Sequence, residues 1–102
     1  MRVTIRPSPR ASKKLVATFY DDDGSRVKSV HFGAAGYQDY IRYSRDQPAI
    51  ASKRRLAYIR RHRKREDWRD PMTAGALSRW ILWEKKTLPA ATRKYKVLFG
   101  FI

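Results

Sequence analysis

The chain contains no cysteine, so no disulfide can staple it and no thiolate can hold a metal. Glycine and proline are sparse, five of each, which leaves too little for a flexible linker or a low-complexity tract, and no segment repeats. Long apolar runs are missing as well. The longest, at 80–83, falls far short of the roughly 20 residues that a membrane span requires. The opening Met1-Arg2-Val3 has no apolar stretch of the kind that a secretory signal needs. These absences lead to the expectation of a soluble intracellular protein. Scarcest of all is negative charge: nine Asp and Glu stand against 24 Lys and Arg, for a net charge of +15.

What is present argues for a folded domain. A chain of 102 residues is the size of one domain, and at 42% hydrophobic and 13% aromatic it is too apolar for a disordered tail. A compact state of such high net charge is strained by self-repulsion. An anionic partner relieves that strain, whether nucleic acid, an acidic protein surface or anionic lipid. Charge therefore speaks to partners and says nothing of fold.

Residues 1–12 carry Pro7 and Pro9, which exclude helix, and read as an extended basic arm. The alternation of Val3 and Ile5 leaves a short edge strand as the other reading. From 13 to 102 a single α+β domain is expected. Leu15, Ala17 and Phe19 alternate with Val16, Thr18 and Tyr20, Asp21-Asp22-Asp23-Gly24 is turn chemistry, and 25–32 is rich in β-branched and aromatic residues. The pattern predicts a β-hairpin over about 13–32. Residues 37–40 read as a loop or short turn. Three helices follow, at about 48–65, 71–84 and 89–99. Pro48 sits in the first turn of one, Asp70 is the expected N-cap and Pro71 the first residue of the next, and Pro89 opens the last. Leu88, Ala91, Tyr95, Leu98 and Ile102 form its apolar stripe, with Gly100 leaving 96–102 open to a strand instead.

The helix at 48–65 holds the main candidate site. At about 100° per residue, Lys53, Arg54, Arg60, Arg61, Lys64 and Arg65 fall within about 140° of one face. Ala51, Leu56, Tyr58, Ile59 and His62 take the other side. No acidic residue interrupts 49–65, so the face is of one sign and suits phosphate or carboxylate. The run at 60–65 also matches a nuclear-localisation tract, as any basic helix would. The helix at 71–84 is apolar around most of its circumference, which marks Trp80 and Trp83 as core or interface anchors. Trp68, Tyr37 and Tyr40 join them as aromatic candidates. No catalytic or metal-ligating set stands out. Asp21, Asp22 and Asp23 fail the calcium-loop pattern, with Arg26 and Phe32 at the sixth and twelfth positions, and His31 and His62 share no ligand spacing. No cofactor motif is present.

Several segments together resemble a known family. They are residues 19–24, His31-Phe32-Gly33, Gly36-Tyr37-Gln38-Asp39-Tyr40, Tyr58-Ile59-Arg60-Arg61-His62, Glu66-Asp67-Trp68, and the run from Asp70-Pro71-Met72-Thr73 to Trp80-Ile81-Leu82-Trp83. This combination is similar to small basic proteins of large nucleocytoplasmic DNA viruses of algae and amoebae, over about residues 13–90. The resemblance implies a virus-encoded protein and a virion component, with no catalytic residues. It leads to the expectation of a minor capsid or cementing protein that bridges acidic surfaces of capsid subunits or the underlying membrane. Such a protein resides in the virion, and in host cytoplasm or nucleus during infection. The alternative is a sequence-tolerant DNA- or RNA-binding protein that helps package a genome.

Overall fold

Alternation in the first third of the chain builds a sheet with one apolar face. The computed structural model describes residues 1–102 and begins with strands β1 (Arg2–Pro7), β2 (Lys13–Tyr20) and β3 (Arg26–Ala34). They lie antiparallel in the order β1-β2-β3. Val3 pairs with Phe19, Ile5 and Val30 flank Ala17, and Leu15 pairs with Phe32, so the middle of one face is apolar, with Lys13 and Lys28 at its margins. The other face is polar: the Ser29 hydroxyl donates to Thr18 Oγ1 at 3.3 Å, and the Arg2 guanidinium lies 4.8 Å over the Tyr20 ring.

The arm expected at residues 1–12 is thus corrected, because residues 2–7 are an edge strand. Val3 is fully buried against Phe19, and that burial draws the segment onto the sheet. Pro7 closes the strand, where an edge tolerates a missing donor. Two backbone bonds join the outer side of β1 to the last residue: Val3 N–H to Ile102 O at 3.3 Å, and Ile102 N–H to Met1 O at 3.0 Å.

Four helices cover the apolar face and complete the expected α+β fold: α1 (Tyr40–Asp46), α2 (Pro48–His62), α3 (Ala74–Leu77) and α4 (Leu88–Phe99). The sequence reading placed a loop or short turn at 37–40 and no helix at α1. Asp39 starts it by accepting the Arg42 amide at 2.9 Å, and a single residue, Gln47, separates it from Pro48 and α2. The helix expected at 71–84 starts later. Thr73, not Asp70, is the N-cap, its hydroxyl accepting the Ala76 amide at 3.2 Å. Asp70 instead closes a turn by accepting the Met72 amide, while the Tyr95 hydroxyl donates to Pro71 O at 2.6 Å and holds that residue outside the helix. After Leu77 the chain widens into a π-helical turn, Ser78–Leu82, which turns Arg79, Ile81 and Leu82 inward together.

The last helix ends at Gly100, whose left-handed φ of 73° rules out the strand reading of 96–102. Its stripe also differs from expectation. Tyr95 is followed on the buried side by Phe99, one turn on, while Leu98 and Ile102 face outward. Past Gly100 the chain folds back so that Phe101 packs on Phe19, ring centroids 5.4 Å apart, and on Tyr95 at 5.6 Å.

Two joints hold helices to sheet and to one another. Gly33 has φ 77°, and a Cβ there would lie 2.7 Å from Leu82 Cδ1, so this glycine lets the π-helical turn rest on β3. Glu84 is the second joint. It accepts from Arg55 of α2 at 2.6 Å, from Arg79 of the π-helical turn at 2.8 Å, and from Lys94 of α4. Burial alone would raise the Glu84 pKa. Hydrogen bonds from Lys94, Arg79 and Arg55 outweigh it and bring the group from 4.5 to about 2.

Each joint generates a prediction. Gly33→Ala will lower stability by about 1–3 kcal/mol from backbone strain and overlap with Leu82. Gly24→Ala, at a similar φ of 88° but in open space, will lose only the strain. Urea midpoints read the difference, and equal losses would contradict the packing role of Gly33. For Glu84, a folded pKa held below the unfolded value gives stability that is present above about pH 4.5 and lost as pH falls toward 2. Glu84→Gln will cost about 3 kcal/mol at neutral pH, because three cations lose their partner, and will flatten the acid limb of a pH-stability curve across that window. An unchanged acid limb would count against the joint.

Candidate anion-binding surface

The cationic face begins with the two-sidedness of α2. Ala51 and Tyr58 are buried, and Arg55 and His62 turn partly inward beside them. Leu56 was expected on that inner side but is 50% exposed. It lies three residues from Lys53 and four from Arg60, which puts it on their side of the helix.

Lys53, Arg54, Arg60 and Arg61 project from α2 and are exposed. Lys64 and Arg65 are exposed too, but they belong to a turn, since the helix expected to reach 65 ends at His62. Side-chain bonds fix that ending. His62 Nδ1 lies 3.1 Å from Glu66 Oε1, and the Trp68 indole N–H donates to Glu66 Oε2 at 2.7 Å, so the chain bends back at once. Helical angles therefore do not place Lys64 and Arg65, but both still extend the basic surface from the C-terminal end of α2.

None of these six cations has a carboxylate of its own chain within 4.0 Å, and the acidic residues explain why. All nine are engaged elsewhere. Asp21 and Asp23 accept amides of the hairpin turn, and Asp22 meets the N-terminal ammonium. Asp39 takes Lys14 at 2.7 Å as well as the Arg42 amide. Asp46 and Asp67 each take a neighbouring arginine, and Glu66, Asp70 and Glu84 are used as described. Arg54 has one weak internal contact, lying 5.9 Å over the Tyr43 ring.

The aromatic candidates, expected as core or interface anchors, divide between the interior and the surface. Trp83 is buried and stacks on Tyr58 with centroids 4.4 Å apart and planes 5° from parallel, and Tyr58 stacks in turn on His62 at 4.2 Å. Trp80 is half-buried, its indole N–H donating to Trp68 O at 3.0 Å, and the Arg79 guanidinium lies 4.4 Å over its ring. Trp68 lies on the same guanidinium at 5.3 Å, and Tyr40 is in the core. Trp83 and Tyr40 are thus buried and Trp80 and Trp68 half-buried, so internal packing takes up much of the apolar character of 71–84. Tyr37 alone remains a surface aromatic, 72% exposed.

Tyr37 stands on the rim of a cleft of about 460 Å³. The start of β2 (Lys13, Lys14), the end of α2 (Arg61, His62) and the start of α3 (Gly75) wall it, and Phe32, Leu82 and Trp83 are among its apolar lining. Gly75 allows Glu66 to approach the helix, since a Cβ there would sit 3.1 Å from the carboxylate carbon. The sequence reading missed this cleft. Lys13 and Arg61 are 48 positions apart in the chain, and nothing in the local pattern of either segment brings them together.

Comparison with known proteins adds little to this geometry. Residues 3–44, covering the sheet and most of α1, match a family described as a family of unknown function (DUF5754). No curated protein matches the chain, and no solved structure does.

Proposed function

We propose that the protein is a non-enzymatic adhesion module for polyanions, and that its principal ligand is the phosphate backbone of nucleic acid. One observation carries this reading: Lys53, Arg54, Arg60, Arg61, Lys64 and Arg65 are exposed along α2 and the turn after it, with no carboxylate of their own chain within 4.0 Å. Six of the 24 Lys and Arg are paired internally, so the surplus is general and residues 53–65 are its densest stretch along the chain. Lys and Arg bind phosphate by releasing condensed counterions, a process indifferent to sequence. Packaging or compaction of a genome is the role that fits such binding.

A second reading is a cementing protein of a virus particle, which the resemblance noted above suggests. It would bridge acidic faces of capsid subunits or an anionic membrane surface. Of the tryptophans that motivated it, Trp83 is buried and Trp80 half-buried, while Val97, Leu98 and Ile102 are exposed and give a protein neighbour apolar surface to cover. No helix is long and apolar enough to cross a membrane, so contact with lipid would be peripheral. The two readings differ in where the protein stays when a particle is opened: with the genome, or with the shell at fixed stoichiometry.

Fluorescence anisotropy with a labelled DNA duplex tests the primary reading. Affinity will fall by about a thousandfold or more between about 50 and 200 mM salt and will not depend on sequence. The double variant Lys53→Glu with Arg60→Glu alters only exposed side chains. It will weaken binding and reduce the slope of log affinity against log salt by about two. No binding of wild type at low salt, or an unaltered slope in the variant, would overturn the reading.

A further inference from the structure

The cleft beside α2 contains a charge arrangement that its structural role does not require. Among its lining basic side chains, Lys14 is paired with Asp39 at 2.7 Å and His62 Nδ1 lies 3.1 Å from Glu66 Oε1. Lys13 and Arg61 have no carboxylate partner, although they come from different elements. The Asp39 carboxylate is buried and committed to Lys14 and the α1 N-terminus, so it cannot turn to serve them. Phe32, Leu82 and Trp83 back the cleft from the core, Phe32 fully buried and the other two at most 9% exposed, and Tyr37 is exposed at the rim. At about 460 Å³ the cleft falls within the range of roughly 300–1,000 Å³ usual for small-molecule sites.

Two ligand types leave part of this arrangement idle. A bare inorganic anion would satisfy Lys13 and Arg61 but leave the exposed Tyr37 ring uncovered. A neutral ring would cover Tyr37 but leave both cations unmatched. A flat ring joined to a phosphate satisfies both, with base-on-aromatic stacking and charge-assisted contacts acting together. We propose that the cleft holds one nucleotide, its base against Tyr37 and its phosphate between Lys13 and Arg61. The nucleotide is either free in solution or an unstacked member of a single strand, and only the latter source rests on the nucleic-acid reading given above. The cleft would then add a single-strand preference to a surface otherwise limited to phosphate contacts.

Calorimetric titration of the intact protein with dTMP, single-stranded oligothymidylate, inorganic phosphate, a phosphotyrosine peptide and a DNA duplex tests this. Tyr37→Ala and Lys13→Gln change side chains that the core does not use, and neither belongs to the α2 face. Both variants will weaken oligothymidylate binding, Tyr37→Ala by about tenfold, and leave duplex affinity unchanged. Weakened dTMP binding in the same variants assigns the cleft to free nucleotides too; a loss confined to the oligomer assigns it to strand-borne ones. The proposal is overturned if Tyr37→Ala leaves both unchanged, if phosphate competes as well as dTMP, or if the phosphotyrosine peptide binds more tightly than either nucleotide probe. Retained, Tyr37-dependent dTMP binding without duplex binding would sustain the cleft and remove the polyanion reading, so the two failures are distinct.

Discussion

With nine carboxylates and 24 cations, this chain cannot neutralise its own surface. Where it places the few anions therefore determines what the surface becomes. Each goes to a joint or turn of the fold. Asp39 starts α1 and pins it to β2 through Lys14; Glu84 gathers Arg55, Arg79 and Lys94 from three elements; Glu66 ends α2 by bonding His62 and Trp68. Buried pairs of this kind are costly to break, because removing one partner leaves an uncompensated charge in a poorly solvated place. The outer face of α2 receives no acid, and mutual repulsion there is what a polyanion would relieve.

The interior compensates for the small size of the domain with aromatic contact. Trp83, Tyr58 and His62 form a continuous stack from the core to the end of α2. Arg79, only 8% exposed, lies against Trp80 and Trp68 while it bonds Glu84. The basic surface and the cleft thus rest on a rigid support, since His62 and Arg61 are neighbours on one helix turn. Positions held by packed side chains keep a binding surface in shape before its ligand arrives.

Much of the fold was legible in the sequence because it followed simple periods. Alternation from Leu15 to Phe32 and the Asp-Gly turn gave the hairpin, and Pro48 and Pro89 marked helix starts. What escaped depended on contacts distant in the chain. Val3 joins the sheet because Phe19 is there to cover it, and Thr73 rather than Asp70 caps α3 because Tyr95 holds Pro71 aside. Helix α1 was missed because its capping residue, Asp39, doubles as the partner of a lysine 25 positions earlier. The basic residues of α2 were legible as a set, since a one-signed helix face needs no tertiary information. Their lack of partners was not, because it depends on where Glu84 and Asp39 are used. The cleft was invisible for the same reason.

In the proposed reading a polyanion lies along α2 and the turn that follows it. Backbone amide shifts of the isotopically labelled protein, titrated with a short DNA duplex at low salt, examine this residue by residue. The largest changes are expected at residues 53–65, with little movement on the polar face of the sheet around Thr18 and Ser29. Changes centred on the sheet, or spread evenly over all basic residues, would contradict it.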